Sequence, residues 1–353
     1  MNKIYSLLDI DYVKALFIDK VLPFYPQIKT FDRIEITPYK KMIWDTTYHV
    51  VFAYDLFWRN EKAEEKKIQI VCSAHSNEPR KNVLDTLNYL WAKNLPNLEV
   101  KLPRPLFYIE EFQATFYRAL SGQTLLHYIK KGDKVAIASL ISGAARMFAR
   151  LHQIPIDPSF EFNVDNQKIS TVVPGEKFIY SELISRFKNG EYEDLVDFYA
   201  ECVRREEKLF PEQNKRSLIH GDAHPENIIK VGENKIGLID FTDFSPADFA
   251  RDIGAFIQQI EYKIVRKVED LEFARTMKKL FLTEYLRVSG RVLDENLQER
   301  INLYYDWTAL RTAVYWFLNH HASPVNGREL LAAIHERQKT GRHAQDLMVN
   351  YKS

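Results

Sequence analysis

Apolar residues first recur at helical spacing between positions 7 and 22, where Leu8, Tyr12, Val13, Leu16 and Phe17 share one face before Pro23 and Pro26 close the run. That pattern predicts an opening helix. The period then shortens. Residues 33–37, 48–57 and 67–74 are rich in β-branched and aromatic side chains and read as strands, with the polar stretch 59–66 as a solvated hairpin loop. A second helix follows, its cap expected at Ser76 or Asn77 and its apolar face carrying Val83, Leu84, Leu87, Leu90 and Trp91. Residues 105–109 and 114–120 are further strands, ended by Ser121-Gly122.

Beyond Gly122 the spacing is mainly helical. Ile137, Leu140, Ile141, Ala144, Phe148 and Leu151 form one stripe over 134–152, and helical patterns return at 177–188, 191–209, 248–265 and 268–288. The stretch 154–175 holds three prolines and few periodic apolar residues, and reads as an exposed insertion. Residues 295–321 are apolar nearly all round, which predicts a buried helix. His320-His321 would mark its C-terminal end, where positive charge suits the helix dipole. The expected fold class is α+β: a small lobe of antiparallel strands over 1–116, then a larger, mainly helical lobe over 117–353.

Composition narrows the class. A chain of 353 residues exceeds what one core usually serves, and 46% hydrophobic residues exclude a disordered polymer. The formal net charge is +1, so nothing draws the whole chain toward nucleic acid or an anionic membrane. Cys72 and Cys202 are the only cysteines, too few for a disulfide framework or a four-ligand zinc site. The N-terminal run is broken by Asp9 and Asp11 and resembles neither a secretory leader nor a membrane span. A cytoplasmic location, with no nucleic acid or membrane as partner, is the expectation.

Chemistry concentrates in one segment. Leu218-Ile219 and Ile228-Ile229 flank a loop with two histidines, two carboxylates and an asparagine, and the strand Ile236-Gly237-Leu238-Ile239 then ends in Asp240-Phe241. Phosphoryl transfer needs a carboxylate to orient the attacking hydroxyl, and oxygen ligands to hold Mg2+ against nucleotide phosphates. In protein kinases an Asp of a His-x-Asp loop does the first, and an Asn five residues on plus an Asp ending a later strand do the second. His220-Gly221-Asp222, Asn227 and Asp240 stand in that order and spacing.

With its His-Gly-Asp-x-His-x-x-Asn pattern, this segment resembles the catalytic loop of the aminoglycoside phosphotransferase and choline kinase-like family, which has a protein-kinase-like fold. The likeness continues from Asp240 to Gly254, in the Leu151-His152 that ends an upstream helix, and in Tyr117-Arg118-Ala119 where an interlobe nucleotide hinge would lie. It covers roughly 117–152 and 217–256 and implies a small-molecule kinase using ATP or GTP and Mg2+. By resemblance Asp222 is the base, Asn227 and Asp240 are the metal ligands, and Asp252 anchors the loop. His220 is the structural support that positions it. His224, beside Pro225, reads as a residue that stiffens the loop. Asp248 is either a helix cap or a substrate contact. Candidate acceptor-lining groups are Asp243, Asp248, Glu261, Tyr304, Asp306, Trp307 and Arg311, a mixture of carboxylates and rings that would suit an amine or a sugar.

Two departures leave other readings open. The family resemblance implies a phosphate-pairing lysine on the third strand, where this chain has Cys72 or Ser73, with Lys66 and Lys67 too early. The turn at 41–47 has no glycine where a glycine-rich loop would cover the phosphates. A pseudokinase acting as a binding or regulatory module is therefore the alternative. A transition-metal hydrolase using His220, Asp222, His224 and Asp240 is a third reading.

Overall fold

The computed structural model describes residues 2–95, 99–164, 166–172, 175–186, 193–319 and 324–340. The predicted His320-His321 helix end lies outside them. Contacts divide the chain into two compact units, Met1–Gly122 with Gly237–Thr242, and Gln123–Ile236 with Asp243–Ser353.

The first unit is built on a five-stranded antiparallel sheet. Its strands are β1 Arg33–Ile43, β2 Tyr48–Arg59, β3 Glu65–His75, β5 Arg104–Ile109 and β6 Ala114–Arg118, in the order β1-β2-β3-β6-β5, with a short β4 at Val100–Lys101. Alternation decides which face is covered. Tyr48, Val50, Phe52, Tyr54 and Leu56 of β2, and Ile68, Ile70, Cys72 and Ala74 of β3, point into one apolar core. Helix α1, Ile10–Lys20, caps itself with Asp9 and adds Val13 and Phe17 to that core, where Phe17 meets Tyr54 edge-on at 5.0 Å. Tyr54 escapes the cost of a buried hydroxyl by donating to the Leu7 carbonyl at 2.9 Å.

Strand β1 is longer than its sequence pattern suggests, because it is bulged. Pairing with β2 shifts register between Pro38 and Lys40. Before the shift Ile34 and Ile36 lie on the core side, and after it Ile43 does. One extra residue has thus exchanged the faces, turning Lys40 onto the side away from the core. The second helix also differs from expectation. α2 spans Lys81–Ala92 and starts without a side-chain cap. Ser76 instead accepts from Tyr48 N at 3.1 Å, tying down the end of β3, and His75 Nδ1 accepts from the next turn.

The second unit is mainly helical: α3 Leu125–Lys131, α4 Lys134–Leu151, α5 Glu176–Arg186, α6 Glu193–Leu209, α7 Ala250–Lys267, α8 Leu271–Ser289, α9 Glu295–Leu318 and α10 Val325–Thr340. Helix α9 is buried along most of its length, as its unbroken apolar character predicts. Short strands carry the loops: β8 Ser217–Ile219 pairs with β11 Ser245–Ala247, and β7 Gln123–Thr124 pairs with β9 Ile228–Gly232, which turns into β10 Lys235–Leu238. The stretch expected to be an exposed insertion is anchored. Ile169 and Val172 are buried, Ile169 N donates to Glu206, and the Tyr199 hydroxyl donates to Ile169 O. Among the described residues no helix is long and apolar enough to cross a membrane.

Helices α7 and α9 touch at Gly254. A Cβ there would lie 2.6 Å from Ile301 O and 2.8 Å from Tyr305 N, backbone atoms that cannot swing aside. Gly254→Ala is expected to lose about 1–3 kcal/mol to overpacking, against at most about 1 kcal/mol regained in helix propensity. The melting temperature should therefore fall by several degrees; a rise would show that the helices are not so closely packed.

Candidate active site

Strand β8 is buried along all three residues and delivers the chain into His220-Gly221-Asp222. Gly221 is required there. Its φ is +84°, and a Cβ would stand 2.4 Å from Asp243 O. Asp252, in the first turn of α7, fixes the loop. Its carboxylate accepts from His220 N at 2.7 Å, Gly221 N at 2.9 Å and His152 Nε2 at 3.0 Å. Burial would push this acid up, but His152, His220 and the main-chain N–H groups hold it below the usual carboxylate range. Burial keeps His152 low, so a neutral ring donates from Nε2 and accepts at Nδ1 from the Tyr285 hydroxyl, 2.8 Å away. Arg251 donates to Gly221 O at 3.1 Å. The His220 ring is fully buried, and its Nδ1 accepts from Asp222 N at 3.3 Å.

Asp222 leads a row of alternating charge. Its Oδ2 meets His224 Nε2 at 3.1 Å; His224 Nδ1 meets Glu226 Oε2 at 2.9 Å; and Lys263 of α7 pairs with Glu226. Burial alone would raise Asp222, yet His224, then Arg311 and His220, bring it well below the ordinary range. Burial would lower His224, but the two carboxylates outweigh it and lift the ring to about 9. His224 therefore bridges two acids as well as stiffening the loop, and its occupied nitrogens leave none for a transition metal. Asn227 Nδ2 donates to Asp222 O at 2.9 Å, a bond that does not use its Oδ1 acceptor. Glu226 and Lys263 gave no signal in the sequence, since 37 residues separate them.

Asp222 opens onto a cavity of about 580 Å3 in the second unit, with 37% of its side chain accessible. Of the acceptor-lining candidates, Trp307 and Arg311 line this cavity. Asp243, Asp248 and Asp306 do not. Asp248 is buried, accepting from Ala250 N at 3.0 Å just ahead of α7 and pairing with Arg300. Asp306 is buried between Arg205 and Arg337, and Asp243 accepts from Asn166 at 2.7 Å. Glu261 binds Lys278 and the Tyr305 hydroxyl, and Tyr304 donates to Glu206. Asp243, Asp248, Glu261, Tyr304 and Asp306 are thus committed to partners within the protein.

The first unit holds Asp240 and a group of cations. Asp240 has φ +65°, is exposed, and accepts from Thr242 Oγ1 at 2.8 Å on one oxygen. Cys72 points into the core, so Ser73 occupies the open face at the place where the family resemblance implies lysine. Lys40 stands in the same cross-sheet row, Lys40 opposite Val51 and Val51 opposite Ser73. Its ammonium donates to His49 Nε2 at 3.2 Å, which sets the neutral His49 tautomer; burial, then Lys40, pushes that ring down to about 4. Arg80, also buried, acts on Lys40 as a like charge and Asp240 as an opposite one. Tyr117 and Arg118 end β6, and Ala119 N donates to Gln69 O at 2.9 Å. Burial and then Asp240 raise the Tyr117 phenol.

No curated protein matches the sequence. Among solved structures, a choline kinase from Cryptosporidium parvum Iowa II superposes with a TM-score of 0.62 at 14% identity, covering 98% of this chain and 99% of that one. An ethanolamine kinase from Plasmodium vivax gives 0.54 at 15% identity, over 92% and 87% of the two chains. Spectinomycin phosphotransferase, solved with ADP and spectinomycin, gives 0.54 at 13% identity, over 97% and 98%. These likenesses show the protein-kinase-like fold. The profile of the phosphotransferase enzyme family matches residues 59–289, well over half of the sequence, and the chain belongs to that family.

Proposed function

We propose that the protein moves the terminal phosphate of ATP or GTP to a hydroxyl of a small molecule, with Asp222 as the base. The observation that carries this reading is Asp222 itself: an ionised carboxylate, the two residues before it pinned through Asp252, open to a cavity of about 580 Å3. A carboxylate held so low is a weak base, which suits the reaction. Phosphoryl transfer through a loose transition state needs the hydroxyl aimed first and deprotonated late.

Asn227 and Asp240 are the residues that would hold Mg2+. Both offer oxygen, the donor this hard cation prefers, and each keeps one oxygen free of the bonds described above. When bound, the ion neutralises charge on the phosphates. Lys40, with Arg80 beside it, would take the phosphate contact that the third strand lacks. The alternative of a binding module without turnover drew on that lack, and Lys40 weakens its support.

Purified protein should release ADP only when Mg2+ and an acceptor are both present. Mg2+–ATP at about 100 times its Kd should add about 2.7 kcal/mol to stability. The absence of both thermal stabilisation and acceptor-dependent ADP release, across a broad panel of hydroxylated metabolites, would defeat the proposal.

A further inference from the structure

We propose that the acceptor taken by the Asp222 cavity carries an anionic group, phosphate or carboxylate, beside the hydroxyl that is phosphorylated; this rests on the phosphotransferase reading above. The cavity is strongly positive. Lys130, Lys263, Arg266, Lys267 and Arg311 line it, against only Asp222 and Glu226 among the described residues. Both acids are occupied, Asp222 by His224, and Glu226 by His224 and Lys263. A substrate ammonium entering here meets these like charges, and each lining carboxylate already has a basic partner. The acids expected to greet it, Asp243, Asp248 and Asp306, lie off the cavity.

Aromatic faces offer a cation no substitute. Of the four rings lining the cavity, three already lie against guanidinium groups. Trp307 has Arg251 at 5.1 Å and Arg311 at 5.0 Å from its centroid, and Arg266 lies 5.6 Å from Tyr262 and 5.7 Å from Trp316. An ammonium group would have to displace one of these cations. An anion meets the reverse situation. Arg311, Lys130 and Lys267 have no carboxylate within ion-pairing distance among the described residues, and the planar Arg311 fork matches phosphate or carboxylate oxygens. Stacking on Trp307 holds that fork rigid, so little side-chain freedom is lost on binding.

Arg311 also helps keep Asp222 ionised. An arginine serving only that purpose would be read in kcat, whereas one gripping the acceptor is read in affinity. The test is calorimetric titration of the full chain with pyrophosphate, citrate, choline and glucosamine, repeated in a Lys40→Met background to remove the other proposed phosphate contact. Pyrophosphate or citrate should bind, whichever is tighter naming the anion. Binding should weaken at least about tenfold in Arg311→Gln, and also with added salt. Lys267→Gln, at an exposed rim position, should weaken it less and keeps the test open if Arg311→Gln fails to fold. Choline or glucosamine binding more tightly than both anions, no anion binding, or anion binding indifferent to both variants would overturn the proposal. Turnover of an aminated acceptor that depends on Asp222 would sink this inference and keep the phosphotransferase. Anion binding without any Mg2+–ATP turnover would do the opposite.

Discussion

Asp222→Asn is expected to lower kcat by about 10^3-fold or more while leaving nucleotide binding and the fold intact. The substitution keeps the shape of the side chain, and its amide oxygen can still accept from His224 across the present 3.1 Å. What it removes is the charge that aims and finally accepts the hydroxyl proton, a contribution of about 10^2–10^4-fold for a positioned base. The main-chain anchors, Asp252 to His220 N and Gly221 N, do not involve the Asp222 side chain. A loss in kcat far larger than the small drop in melting temperature expected from the weakened His224 pairing therefore isolates chemistry from packing. A variant turning over within about fivefold of the parent would remove Asp222 from the reaction.

The second large effect concerns the first unit. Lys40→Met should weaken ATP affinity by about 10–100-fold, the worth of one charge-assisted hydrogen bond of about 1.5–3 kcal/mol. Methionine keeps the unbranched stem and deletes the ammonium. The sharper experiment is rescue. Ser73 occupies the same row of the open face, two strands away, or about 10 Å by strand spacing. Adding Ser73→Lys to Lys40→Met should recover much of the lost affinity, since it restores a cation at the place the family resemblance implies. ATP affinity unchanged in Lys40→Met would show that the phosphates are held elsewhere.

What the sequence revealed follows distance along the chain. His220, Asp222, Asn227 and Asp240 lie within one short stretch, so order and spacing were enough to mark them. The buried acids misled because their partners are remote: Asp248 pairs with Arg300 over 52 residues, and Asp306 with Arg205 over 101. Nothing local separates a carboxylate facing a ligand from one neutralised in the core. Helix α10 escaped notice for a related reason: few of its side chains are buried, Leu331 and Ile334 among them, leaving a weak stripe. Segment 154–175 looked loose because its anchors, Glu206 and Tyr199, come from a later helix. Lys40 was hidden differently. Counting by twos from Ile34 and Ile36 assigns it to the core face, and only the register shift at Pro38/Lys40 reverses that assignment.

That shift separates ancestry by position from ancestry by role. A comparison that scores column against column finds serine where lysine belongs and records a loss. The sheet meanwhile can keep a cation in the same row through an insertion two strands away. Column scoring is blind to such a transfer, so one missing lysine does not make a family member inert. The parity of the neighbouring strands decides whether its charge has gone or has moved.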